Sequence, residues 1–264
     1  MRVIDIHVHA FPDSIVKRAM KSLEEEGHIK AELDGSVDGV LRSMDEAGVE
    51  LSVVCSIATK PTQFQPILDW SKGIQSDRIL AFPSVHPEDP LALARIGEIR
   101  DAGFKGVKLH PYYQRFTLDE PRMMPLYAKM ADLGLVLLCH TGFDIAYPRY
   151  RICGPERIVR VLEAVPELKF VATHFGAWED WDEVRRLLLG KPVLMDVSYS
   201  LQFMKGDEGR EILLNHPEDF LLFGTDSPWE SPATLLGRLE AFGLDEEGRK
   251  RKLLSENAAR LLGL

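Results

Sequence analysis

The histidines His7 and His9 stand one residue apart, two residues after Asp5, in an otherwise apolar run from Val3 to His9. A neutral imidazole binds divalent transition metals through one ring nitrogen. Two imidazoles at i and i+2 of a strand point to one side and can converge on a single ion. With strict alternation, Asp5, His7 and His9 share one face and Ile4, Ile6 and Val8 share the other, so the polar face is expected to look inward. An H-x-H pair alone is weak in a chain with eight histidines. Three further ionisable residues, however, end apolar runs in the same way: His140, His174 and Asp226. Ionisable groups are rarely buried without a purpose, so the recurrence points to four imidazoles and a carboxylate lining one space.

The elements that must bring them together are short and regular. Runs rich in Val, Ile, Leu and Phe cover residues 3–9, 51–57, 79–85, 106–110, 135–140, 169–174, 193–198 and 220–226. Amphipathic stretches lie between them: 36–47 carries Val37, Val40, Leu41 and Met44 at helical spacing, and 155–165 opens with Pro155 at a first-turn position. Eight strands alternating with helices over 264 residues predict an α/β fold, a single-domain (β/α)8 TIM barrel spanning 1–264. In that fold the C-terminal strand ends meet at one mouth, where His140, His174 and Asp226 would join His7 and His9. No G-x-G-x-x-G or Walker loop follows a strand, which argues against dinucleotide or P-loop chemistry. Residues 10–35 form an elaborated first connection with a helical stretch at 14–26, either a flap over the mouth or a surface insertion. The tail 245–264 predicts two closing helices, with Leu253, Leu254, Leu261 and Leu262 packed on the barrel's outside.

Composition bounds the partners. A net charge of -9 argues against a nucleic-acid surface, which needs clustered Lys and Arg, so a small-molecule substrate is expected. The three cysteines, Cys55, Cys139 and Cys153, are widely spaced and form no C-x-x-C pair, which fits a reducing, cytoplasmic setting. The apolar strand begins within two residues of Met1, which leaves no room for a signal core, and no apolar run is long enough for a bilayer, so no membrane association is expected. Pairing into a homo-oligomer is compatible with such a barrel.

The I-D-I-H-V-H-A start, the C-H-T-G, T-H-F-G and G-T-D-S-P strand ends and the closing E-N-A-A-R-L-L resemble the amidohydrolase superfamily. The nearest likeness is to its amidohydrolase-related branch, which includes the aminocarboxymuconate semialdehyde decarboxylases, and it runs from Asp5 to Leu262. The resemblance implies a divalent metal on His7, His9, His140 and Asp226. Zn²⁺ is the default, with Mn²⁺, Fe²⁺ or Ni²⁺ open, and one ion per chain is the default, with two open. It further implies catalytic roles for Asp226, as general base to metal-activated water, and for His174. The reaction implied is hydrolysis of an amide, ester or lactone. The alternative is non-oxidative decarboxylation of an unsaturated or aromatic acid.

His174, Lys108 and His110 are candidates for a second ion or for supporting the first. Lys108 is read as carboxylated, as paired with Asp5, or as meeting an anionic substrate. In the strand-end loops, Arg151 and Trp178 are the substrate-binding candidates. Arg149, Trp229, Phe11, Tyr112 and Gln114 are weaker rim candidates. His28, His86 and His216 are set aside as surface, turn and opposite-face residues. Asp196 and Ser198 share a face on the seventh strand, with no task assigned.

Overall fold

A computed structural model describes residues 2–242 and 247–264. Its strands are β1 (Ile4–Val8), β2 (Leu51–Cys55), β3 (Ile79–Phe82), β4 (Gly106–Leu109), β5 (Val136–Cys139), β6 (Lys169–Ala172), β7 (Leu194–Asp196) and β8 (Leu221–Leu222). All pair in parallel, in the orders β1-β2-β3 and β4-β5-β6-β7-β8. Backbone bonds close the two sheets into a cylinder. Lys108 N donates to Pro83 O (3.0 Å) across β3 and β4, and Ile6 N donates to Phe223 O (3.0 Å) across β8 and β1. The fold is the expected (β/α)8 barrel. The connecting helices begin and end where the sequence marks them: Ser36 caps the helix Val37–Ala47 by accepting from Gly39 N, and Gly48 ends it in a left-handed conformation.

Strand register decides which side chains face inward. Val53, Phe82, Leu138, Val171 and Leu222 belong to one apolar cluster, the barrel interior, drawn from alternate positions of successive strands. Lys108 lies opposite Leu138 and Asp196 opposite Leu222, so both polar residues sit on that inner face. In β1 the expected alternation is broken. Asp5 pairs with Ser52 but Val8 pairs with Val54, an irregularity that fits three steps of β1 to two of β2. As a result Ile4 and Ile6 join the interior cluster, and His7 follows Ile6 inward. Asp5 leaves the shared polar face. It accepts instead from Thr225 N (3.1 Å) and Thr225 Oγ1 (2.7 Å), tying β1 to the chain after β8.

The tail departs from expectation too. Residues 245 and 246 lie outside the described ones. The rest forms the consecutive turns Glu247–Arg251, Lys252–Glu256 and Asn257–Leu262, the middle one a π-helix. Leu253 and Leu254 pack in the outer cluster as expected. Ala258 and Leu262, with Leu261 against them, pack instead on the interior cluster, so the last helix plugs the end of the cylinder where β1 and β8 begin.

At the opposite end, Gly142 (φ +94°) makes a bridge to Trp178 that joins the loops after β5 and β6. A Cβ on Gly142 would lie 2.0 Å from Trp178 N, and its backbone region disfavours side chains. Gly142→Ala is therefore expected to lower unfolding free energy by more than about 3 kcal/mol in urea titration. Gly134→Ala is also left-handed but has nothing within 4 Å of the new Cβ, and is expected to cost only about 1 kcal/mol.

Candidate metal centre

Three ligand-type atoms meet at the mouth of the barrel. Asp226 Oδ1 lies 3.2 Å from His7 Nε2 and 3.2 Å from His9 Nε2. The other nitrogen of each ring fixes its tautomer. His9 Nδ1 lies 2.8 Å from Cys55 O, which can only accept, and His7 Nδ1 lies 2.9 Å from Asp196 Oδ2. Both Nδ1 atoms therefore carry the proton, and both Nε2 atoms present lone pairs to a carboxylate oxygen.

A second pair of lone pairs lies beside the first. His174 Nδ1 lies 3.2 Å from Ser198 O and 3.0 Å from Ser198 Oγ, whose own proton goes to Asp196 Oδ1 at 2.6 Å. His140 Nε2 lies 3.0 Å from Phe143 O. Each of these rings must donate outward, which leaves His174 Nε2 and His140 Nδ1 facing one another, unprotonated, at 3.1 Å. The rings of His7 and His174 are 5.6 Å apart, so the two pairs adjoin.

Charge sharpens the conflict. Burial, with Lys108 adding to it, pushes His7 well below the usual imidazole range, and burial, with His110 and His174 adding to it, does the same for His140. Burial opposes ionisation of Asp226, but positive charge at His7, an N–H from His9 or positive charge at His174 would outweigh burial and hold the carboxyl below the usual carboxylate range; with the rings neutral, that role is left to another cation. Unprotonated imidazoles and an ionised carboxylate in van der Waals contact repel unless positive charge lies among them, as Lys108 Nζ does at 2.8 Å from His7 Nε2 and as a bound metal ion would. The spacing suits one, since a tetrahedral ion with bonds of about 2.1 Å sets its ligands about 3.4 Å apart. A metal-binding imidazole that donates its other N–H to a fixed acceptor is the usual supporting arrangement.

The amidohydrolase family model matches residues 4–264. The chain belongs to that family. No curated protein matches it. Among solved structures it is similar over 100% of its length to 99% of an uncharacterised TIM-barrel protein from Bordetella bronchiseptica (TM-score 0.78, 22% identity). It is likewise similar over 100% of its length to 99% of the 2,6-dihydroxybenzoate decarboxylase from Rhizobium (TM-score 0.72, 16% identity). A "probable 2-pyrone-4,6-dicarboxylic acid hydrolase" from Acinetobacter baumannii, with citric acid bound, is covered over 100% of both chains (TM-score 0.72, 16% identity). At these identities the likeness shows the fold.

Within this member of the family, the other sequence candidates are distributed unevenly. His110 and His140 stack at 4.1 Å, and with Asp144 they form a second cluster of ligand-type side chains. That cluster suits hydrogen bonding better than a metal. His140 turns an N–H toward it, His110 Nε2 lies 3.3 Å from Asp144 Oδ2, and His110 Nδ1 has no acceptor to anchor it as a ligand would require. Lys108 is buried, and its Nζ lies 2.8 Å from His7 Nε2, not against Asp5. Among the described residues no carboxylate oxygen comes within 4.0 Å of that ammonium.

Trp178, Trp229 and Phe11 line the cavity of about 700 Å³ above the site, and so does Tyr113, which sequence reasoning passed over. Arg151 does not line it, because its guanidinium pairs with Asp180 at 2.9 Å. Arg149 pairs with Glu179 and lies over Phe143. Tyr112 and Gln114 bond backbone carbonyls and do not line it either.

Asp196 is the residue whose part sequence reasoning left blank. It accepts from His7 Nδ1, His174 N and the Ser198 hydroxyl, and so orients two imidazoles at once. Its signal was a carboxylate at the end of an apolar strand, as for Asp226. Asp196→Asn is expected to weaken zinc binding about 10- to 100-fold in chelator competition, with secondary structure retained by circular dichroism. Affinity equal to wild type would remove Asp196 from the centre.

Proposed function

We propose that this amidohydrolase is a metal-dependent hydrolase that adds water to the carbonyl of an amide, ester or lactone, with Asp226 as general base. The observation that carries the reading is Asp226 Oδ1 at 3.2 Å from both His7 Nε2 and His9 Nε2, at the floor of a cavity large enough for a small molecule. One divalent ion, zinc by default, held by His7, His9, His140 and Asp226, would polarise the carbonyl and bring the pKa of water to about 7.

The chain's own residues supply the rest. Asp226, kept ionised, takes the proton of the attacking water and hands it to the leaving group without crossing the site. His174, fixed by Ser198, aims an unprotonated Nε2 inward beside His140 and orients the water. Lys108, with its stem buried and its ammonium at the cavity floor, favours a substrate that gains negative charge as it reacts.

Asp226→Asn is expected to lower kcat by about 10³-fold while the thermal unfolding midpoint stays within a few degrees. Unchanged turnover would reject Asp226 as base. The reaction class is read from products: lactones or esters should give ring-opened or cleaved acids with no carbon dioxide. Release of carbon dioxide from aromatic or unsaturated acids, with lactones untouched, would replace hydrolysis by decarboxylation.

A further inference from the structure

The first connection does not behave as a surface insertion. Its helix Val16–Gly27 carries Ala19, Ser22, Leu23 and Glu26 along one stripe, continued by Ile15 just before it, and this stripe lines the cavity. Facing the same space, the helix Phe64–Ile74 turns Phe64, Leu68 and Ser71 to the core and Pro66 and Ile67 to the cavity, while Trp70 packs on the core cluster and also lines the cavity, as does Gln63 just before the helix. Ile15, Ala19, Leu23, Ile67 and Trp70 are only half-buried. Two helices thus turn apolar surface to a cavity that opens to solvent at Ser22, Glu26 and Pro66, although burying such a stripe in the core is what ordinarily stabilises a helix of this kind.

This wall is fastened at both ends. At its base, Glu32 N and Leu33 N donate to Pro228 O at 2.9 and 3.1 Å, and Glu32 Oε2 accepts from Ser231 N at 2.9 Å and Thr234 Oγ1 at 2.7 Å. At its far end Gly27 packs so closely on the loop after β5 that a Cβ would lie 3.3 Å from Ile145. The space between the helices is therefore preformed, and it opens downward onto His7, His9, His140, His174 and Asp226.

We infer that the substrate carries an apolar arm, an alkyl chain or flat ring, which lies between the helices Val16–Gly27 and Phe64–Ile74 while its reacting group meets the metal centre. Ala19, Leu23, Ile67 and Trp70 are then the residues that set specificity. Ala19 is the smallest of the four, so a large side chain there would take up the most space in the cavity. The inference rests on the floor being the reacting centre, as proposed above, but the corridor can be tested apart from turnover.

The probe is the uncharged fluorophore N-phenyl-1-naphthylamine, whose emission rises in apolar surroundings, added to the metal-loaded full chain. Wild type should bind it saturably. Ala19→Trp, which fills the corridor, should weaken binding at least about tenfold, and Leu23→Ser, which removes apolar contact without adding bulk, about fivefold. Both variants should keep the wild-type metal content and unfolding midpoint. In a second arm, kcat/KM for p-nitrophenyl esters from acetate to octanoate should climb by about threefold per added methylene, and the climb should flatten in Ala19→Trp. Absence of saturable binding, or binding untouched by both variants, would overturn the inference. Probe binding that responds to the variants while no ester is cleaved would support the corridor and count against ester hydrolysis, leaving the hydrolase reading to the lactone and carbon dioxide measurements above.

Discussion

Four imidazole lone pairs and a carboxylate oxygen are forced toward one another at the barrel mouth, and this repulsion is what the surrounding structure is arranged to hold. Three rings are locked by backbone carbonyls that cannot give a proton back, Cys55 O behind His9, Phe143 O behind His140 and Ser198 O behind His174, and the fourth, His7, is held by the Asp196 carboxyl. Those acceptors come from β2, β7 and the loops after β5 and β7, so the locks exist only if the strands are in register around the cylinder. The bulge in β1 belongs to the same constraint. It turns His7 inward directly after Ile6, within reach of Asp196, while Asp5 is released to fasten β1 to Thr225.

Backbone conformation shows where this arrangement is least relaxed. His174 and Asp226 both have φ near +61°, a left-handed region that side chains seldom occupy. Each stands where its strand has ended and the chain turns sharply, so that its side chain is aimed across the mouth. Neighbouring bonds hold these turns: Phe175 N donates to Asp196 O at 2.7 Å and Asp226 N donates to His7 O at 2.7 Å. Residues held in such conformations persist only where the surroundings over-determine them, and they cluster at functional sites.

The barrel and the gathering of His7, His9, His140, His174 and Asp226 at one end were legible because both follow from periodicity. Apolar runs at regular intervals predict the strands, and ionisable residues at their C-terminal ends predict a shared mouth. What depended on a single residue of register was not legible. Perfect alternation placed Asp5 beside His7 and so offered it as a partner for Lys108, whereas one bulge moved it to the other side of the strand. Ion pairing was equally hidden. Arg151 follows β5 and reads as an anion clamp, but Asp180, distant in sequence, takes it up. The apolar stripe on Val16–Gly27 was visible as a helix, but that it faces a cavity follows only from Glu32 and Pro228, some 200 residues apart in the chain, meeting at its base.

Lys108 gives the site its charge logic. Around His7 stand two carboxyl side chains, Asp196 at 2.9 Å and Asp226 at 3.2 Å, and one ammonium at 2.8 Å. With both carboxyls ionised and the imidazoles neutral, the group carries one excess negative charge, and a divalent cation would leave it with one excess positive charge. At the buried floor of the cavity that charge is less screened than in open water, so it acts on any group developing negative charge there. The apolar corridor and the polar floor are in this sense one device. On the proposed reading, the corridor holds the neutral part of a substrate, and the floor stabilises the charge that appears when the carbonyl is attacked.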